Sequence, residues 1–148
     1  MKTVSLPPIS IFNRQRKVPL ARAELEDFAR RALLLCARER GAGLTSLAQV
    51  DVVLISDRKM SELHRRFLQV EGPTDVITFQ HGEIFMSVET AQRQARAERT
   101  SLLYELRLYL VHGLLHLQGF DDRVIKERRH MAALQERIVA ALPVPRPS

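Results

Sequence analysis

Residues 111–123 read VHGLLHLQGFDDR. Two histidines stand four apart in an apolar run, a glycine follows, and two aspartates come close behind. Residues of an α-helix turn by about 100° each, so His112 and His116 lie one turn apart on a single face. Their imidazoles can meet one cation, or each can be a buried histidine bonded to backbone; the spacing alone leaves both open. Gly119 lets the chain leave the helix in a left-handed conformation. Asp122, six residues after His116, can then fold back to the same ion. Two imidazoles and a carboxylate leave a fourth corner for water, the open coordination of a catalytic zinc rather than a structural one. Water bound there is acidified towards neutrality and becomes a nucleophile. Glycine inside a helix costs about 1 kcal/mol relative to alanine, so Gly113 implies close approach of another segment or of a substrate. The slot after His112 is glycine rather than glutamate. The general base of the H-E-x-x-H peptidases is therefore absent, which argues against proteolysis.

The histidines end an apolar segment, SLLYELRLYLVHGLLHL at 101–117, whose composition fits a helix buried on most sides. Outward from it, other elements follow from periodicity. Leu25, Phe28, Ala29, Ala32, Leu33 and Cys36 recur at helical spacing between Pro19 and Arg40, with Pro19 at an early helical position and the GAG at 41–43 stopping the run. AQVDVVLIS (48–56) reads as a strand, and DRKMSELHRRFL (57–68) as a short helix capped by Ser56 or Asp57. DVITF and EIFMSV, separated by QHG, read as neighbouring strands of a hairpin. ETAQRQARAERT (89–100) is a polar helix, and Val124 to Ala141 an amphipathic one. TVSLPPISIFN at 3–13 fits an edge strand broken at Pro7 and Pro8. The fold class is α/β in the layered α+β sense: a small mixed β-sheet packed against helices, with a buried central helix carrying the metal motif.

At 148 residues the chain suits one domain, 1–148, with the proline-rich 143–148 a frayed tail. Hydrophobic residues make up 45% and charged residues 27%, which excludes wholesale disorder. Cys36 is the lone cysteine, so an internal disulfide is excluded; it reads as a small core residue, in keeping with a reducing cytoplasm. The sequence holds no apolar run of membrane-spanning length, and the first 17 residues make a poor secretory signal. The net charge of +6 favours contact with phosphate backbones, though a basic protein without that partner has the same balance.

HGLLHLQGFDD at 112–122 resembles the H-G-x-L-H-L-x-G-[YF]-D-H signature of the YbeY family, metal-dependent endoribonucleases of ribosomal RNA maturation. GPTDVITF (72–79) is similar to the family's P-T-D-V-L-S-F, GEIFMS (82–87) to G-D-I-x-I-S, and YELRLYLVHG to the helix entering the motif. Met131, Leu134 and Ile138 fall where the family's last helix places apolar residues. The likeness runs from about residue 50 to about residue 140, in order. It implies a single-strand-specific endoribonuclease acting in ribosome biogenesis through metal-activated water. It also implies one divalent ion, zinc foremost, held by His112, His116 and Asp122. The implied partners are ribosomal RNA and the ribosomal subunit or its assembly proteins, with no membrane.

Two departures bear on activity. The family's third histidine is Asp122 here; an aspartate ligand adds negative charge, makes bound water less acidic and can favour other divalent ions. Asp121 or water could fill that corner instead, but the offset from His116 matches Asp122. In LHRRFLQ (63–69), His64 stands in the slot of a family asparagine and Leu68 in that of an arginine thought to act on the phosphate. No catalytic side chain is therefore assigned. Two alternatives stay open: a ribosome-assembly factor that keeps the fold without cutting, or a metal hydrolase acting on another substrate. Arg65 and Arg66 read as a solvated helix face or an RNA contact, as do the arginines at 93, 96 and 99. His81 reads as a turn residue and His130 as surface. Thr74 and Asp75 shape the entry to a strand, with a place in the substrate groove implied by the resemblance. Glu105 is expected to pair with Arg107 or with an arginine from another strand.

Overall fold

A computed structural model describes residues 5–143. The elements are β1 (Ile9–Asn13), α1 (Arg22–Ala37), a 3-10 turn (Leu44–Ser46), β2 (Val50–Ile55), α2 (Asp57–Leu68), β3 (Val76–Phe79), β4 (Glu83–Ser87), α3 (Val88–Glu98), α4 (Leu102–Gln118) and α5 (Ile125–Ala141). The strands form one sheet in the order β1-β2-β4-β3. β1 and β2 are parallel, as are β2 and β4, while β3 closes the far edge as an antiparallel hairpin with β4. A mixed sheet packed against helices is the fold class expected above, and the hairpin and the edge position of β1 match.

Alternate strand residues point to opposite faces. Ile11, Val52, Leu54, Ile84 and Met86 face the main core, which they share with α1, α4 and α5. Val53, Ile55 and Ile77 face the other way and pack with Met60 of α2. α4 is the hub: Leu106, Leu110, Val111, Leu114 and Leu115 are all buried. Gly113 lets this helix lie against the sheet, because a β-carbon there would come within 2.7 Å of Ile84 Cγ2. The close approach implied by that glycine is thus to β4.

Polar caps set the helix starts. Ser56 accepts from the Lys59 amide, Ser87 from Thr90 and Ser101 from Tyr104. α1 departs from expectation at both ends. It starts at Arg22 rather than near Pro19, because Gln15 holds both the amide and the carbonyl of Val18 and keeps that stretch in a loop. It stops at Ala37 rather than Arg40, where the Gln118 side-chain amide draws the carbonyls of Ala37, Glu39 and Gly41 towards α4. Cys36 is fully buried, and burial pushes its thiol up to about 12, as befits a core residue. The tail expected at 143–148 lies, beyond Pro143, outside the described residues.

Asp57, the first residue of α2, ties that helix to α3. It accepts from Ser87 Oγ, from Thr90 Oγ1 at 2.7 Å and from the Arg93 guanidinium. Burial works against its charge, but the bonds from Arg93, Ser87 and Thr90 outweigh it and hold the carboxyl below the usual range. A depressed folded-state value contributes stability above the unfolded value, about 3.9, and loses it as pH falls through the folded one. Asp57→Asn is expected to cost about 1–3 kcal/mol at pH 7 in urea unfolding, with the difference from wild type shrinking below about pH 4. Equal stability at pH 7 would contradict this role. Arg93 is thereby tied into the fold through Asp57.

Candidate metal centre

α4 delivers His112 and His116 one turn apart near its C-terminal end. Gly119, at φ 121°, turns the chain back, and Asp122 comes over the two rings. His112 Nε2 lies 3.0 Å from His116 Nε2, and Asp122 Oδ2 lies 3.6 Å and 3.4 Å from the two. Donors about 2.0–2.2 Å from one ion at tetrahedral angles stand roughly 3.3–3.6 Å apart. The triangle therefore needs adjustments of only a few tenths of an ångström to close on an ion.

The tautomers make the stronger case. His116 Nδ1 sits 3.1 Å from the Phe120 carbonyl, which can only accept, so this nitrogen carries the proton. His112 Nδ1 sits 2.9 Å from Gln135 Oε1 and donates likewise. Both Nε2 atoms are then bare lone pairs pointed at each other beside a carboxylate. Such a cluster repels itself until a cation occupies the centre. Burial first, and the neighbouring His116 second, push the His112 pKa down, which keeps the ring in the neutral form that a metal needs. Bonding the second ring nitrogen to an acceptor is also how metal-bound histidines are oriented.

Among the described residues, His112, His116 and Asp122 are the one group of three His, Cys, Asp or Glu side chains whose donor atoms converge. Asp121, the competitor for the third corner, is turned to Arg123, which it holds through backbone and guanidinium. The triad opens on a groove of about 350 Å³, lined by Leu68, by Thr74 and Asp75, and by β3 to Gln80. Leu68 is 53% exposed, and among the described residues no lysine or arginine lines this groove. The strand-entry role of Asp75 holds, since its carboxylate accepts from the Val76 amide, and its side chain also borders the groove.

Other candidates lie elsewhere. His81 bonds Glu83 and stacks on Phe79, outside the groove lining. His130 stacks on Phe120. His64 binds the Gly72 carbonyl at 2.9 Å and closes the α2–β3 loop. Arg66 lies over Phe67. The expected pairing of Glu105 with Arg107 does not form: Glu105 accepts from Thr100 Oγ1, and Arg107 lies over the Phe28 ring. Residues two apart on a helix face different sides.

Two supporting residues escaped the sequence. Gln135 orients His112 from α5. Gln118, 1% exposed, accepts from the Leu44 amide and donates to the carbonyls of Ala37 at the end of α1 and of Glu39 and Gly41 in the α1–β2 connection. A glutamine inside an apolar helix was the available signal for the second. The first sits on a helix with many polar residues and gave none.

Fold and site together define a class: α+β proteins in which a buried helix abutting a mixed sheet presents a His–His–carboxylate cluster to an open groove. The chain belongs to the YbeY family of endoribonucleases, whose model, Endoribonuclease YbeY, matches residues 10–143. It is 36% identical to the Endoribonuclease YbeY of Gluconobacter oxydans over 79% of this chain and 73% of that protein. It is 33% identical to that of Moorella thermoacetica over 90% of this chain and 96% of the relative. The solution structure of a Thermotoga maritima protein shares the fold, with a TM-score of 0.62 at 24% identity, covering 90% of this chain and 89% of that one.

Proposed function

We propose that the chain is a metal-dependent endoribonuclease that cuts single-stranded ribosomal RNA during rRNA maturation, with His112, His116 and Asp122 as the ligands of one zinc ion. The observation that carries this reading is the pair of Nε2 atoms 3.0 Å apart beside the Asp122 carboxylate, with each Nδ1 set against an oxygen acceptor. When bound, a divalent ion supplies an acidified water and Lewis-acid stabilisation of a phosphodiester. The chain's own residues do the rest. Gln135 and the Phe120 carbonyl fix the imidazole tautomers. The β3 edge and Asp75 wall the groove that receives the strand. The net charge of +6 draws the polyanion to the surface. A cytoplasmic setting and contact with the ribosomal subunit or its assembly proteins fit this substrate. No helix among the described residues is long and apolar enough to cross a membrane.

Leu68 is the observation that favours a second reading, an assembly factor that binds without cutting. It borders the groove where the family resemblance expects an arginine, and among the described residues no cation replaces it in the lining. The test is cleavage of single-stranded and structured RNA by the zinc-loaded protein, with and without chelator. The nuclease reading expects cutting of the single strand that chelator abolishes; metal-loaded protein that binds RNA and cuts nothing supports the assembly factor. Leu68→Arg is expected to raise the cleavage rate at least about tenfold, since one well-placed donor to a reacting oxyanion is worth about 10²–10³ in the best cases. An unchanged rate would mean that this position does not reach the phosphate.

A further inference from the structure

A second pocket, of about 480 Å³, lies on the other side of His112. It shares Thr74, Asp75, Val76 and His112 with the groove at the triad. The imidazole is the partition: Nε2 belongs to the triad, while Nδ1 faces Gln135, which lines the second pocket. The remaining lining comes from Thr90, Gln94, Glu105, Leu108 and Tyr109.

The chemistry of this lining selects a ligand. Among the described residues it contains two carboxylates, Asp75 and Glu105, and no lysine or arginine, so a phosphate is repelled. The carboxylates do not converge with a third donor as the triad does, so the lining is not a second metal cluster. Tyr109 and Glu105 are 7% and 5% exposed, yet both border the pocket. Among the described residues no protein group bonds the Tyr109 hydroxyl, and the Glu105 carboxylate accepts only from the Thr100 hydroxyl. Burial first, then the charges of Asp75 and Glu105, push the Tyr109 pKa up and keep the hydroxyl a donor. Two nearly buried polar side chains thus face a cavity with hydrogen-bonding capacity unused. Val76 and Leu108 add half-buried apolar surface for a flat ring.

We propose that this pocket seats one nucleobase of the RNA strand whose phosphate lies at the triad, and that it prefers bases bearing an amino donor. This rests on the nuclease reading above. Cytosine presents an N4 amino group that a carboxylate accepts, whereas uracil, of the same shape, presents an O4 acceptor that a carboxylate repels. Unstacked bases read along their edges are the usual basis of single-stranded RNA specificity.

The test compares binding of a cytidylate decamer and a uridylate decamer to the full chain in chelator at pH 7.5, so that nothing is cut. Cytidylate is expected to bind at least about tenfold more tightly, the scale of one good base contact. Glu105→Gln is expected to cut that preference to about threefold or less, by weakening cytidylate binding and by relieving the repulsion of the uracil O4. Because Glu105 is buried, Asp75→Asn at the exposed rim provides a variant that keeps the core intact and is expected to shrink the preference in the same direction. Titration of the wild type with cytidine, which carries no phosphate, should shift the backbone amide resonances of Thr90, Gln94 and Tyr109; uridine should not. Equal affinity for the two decamers, in a protein that cleaves RNA when zinc is restored, overturns the base pocket and leaves the nuclease reading standing. Binding of neither decamer, with no cleavage, overturns both.

Discussion

His116→Ala is expected to abolish both tight zinc binding and RNA cleavage, while the protein stays folded. Losing one of the three proposed ligands leaves His112 and Asp122, too few to hold an open site. His116 Nε2 lies closest to both partners, 3.0 Å from His112 and 3.4 Å from Asp122, so its removal takes the centre of the cluster. The ring is only half-buried, which keeps the stability cost of truncation below that of a core leucine. The affinity loss is expected to exceed 10²-fold, beyond the 10–100-fold typical of losing a residue that merely orients a ligand. Zinc titration by competition with a chromogenic chelator gives the affinity, and a gel assay gives the cutting. Gln135→Leu provides the graded comparison: with the His112 partner gone, affinity should fall by about 10–100-fold and cutting should weaken without vanishing. If His116→Ala retained wild-type zinc affinity, the ion would sit elsewhere.

Gly43→Ala is expected to be among the most destabilising methyl additions in the chain. A β-carbon at Gly43 would stand 1.8 Å from the Leu117 carbonyl oxygen and 2.9 Å from its carbon. Neither atom can yield, because they belong to the backbone of α4. The α1–β2 connection must move off the helix, and the Gln118 bonds to the Leu44 amide and to the Ala37, Glu39 and Gly41 carbonyls go with it. Overpacking costs about 1–3 kcal/mol and each lost bond about 0.5–1.5 kcal/mol, so a total of about 3 kcal/mol or more follows. For a chain of this size that lowers Tm by roughly 10 °C. Ala42→Ser, at an exposed neighbour, should stay within about 0.5 kcal/mol. Matching melting curves for Gly43→Ala and wild type would show that the loop does not rest on α4. The effect reaches the site, since this contact braces the helix end just before Gly119 and Asp122 turn over the imidazoles.

Local periodicity carried most of the elements. α2 spans the twelve residues DRKMSELHRRFL that its pattern marked, and α4 is offset by one residue at each end. The β3–β4 hairpin follows from two apolar runs with a turn between them. Pairing at a distance was not legible: nothing local states that β1 lies parallel to β2, or that β4 separates β2 from β3. The ends of α1 were misplaced for the same reason, because Gln15 and Gln118 decide them through tertiary bonds that outweigh propensity. At the site, the ligand types and the helical spacing of the histidines could be read directly. The pose of Asp122 depends on a turn at Gly119, and the tautomers depend on Gln135, twenty-three residues away from His112. The base pocket could not have been foreseen, since its lining comes from α3, α4, α5 and the approach to β3.

The most direct test is anomalous diffraction at the zinc edge from crystals of the zinc-loaded protein. One peak per chain is expected, about 2.0–2.2 Å from His112 Nε2, His116 Nε2 and an Asp122 carboxylate oxygen. A peak at any other side chains, or no peak with both imidazoles bonded only to protein, would contradict the account.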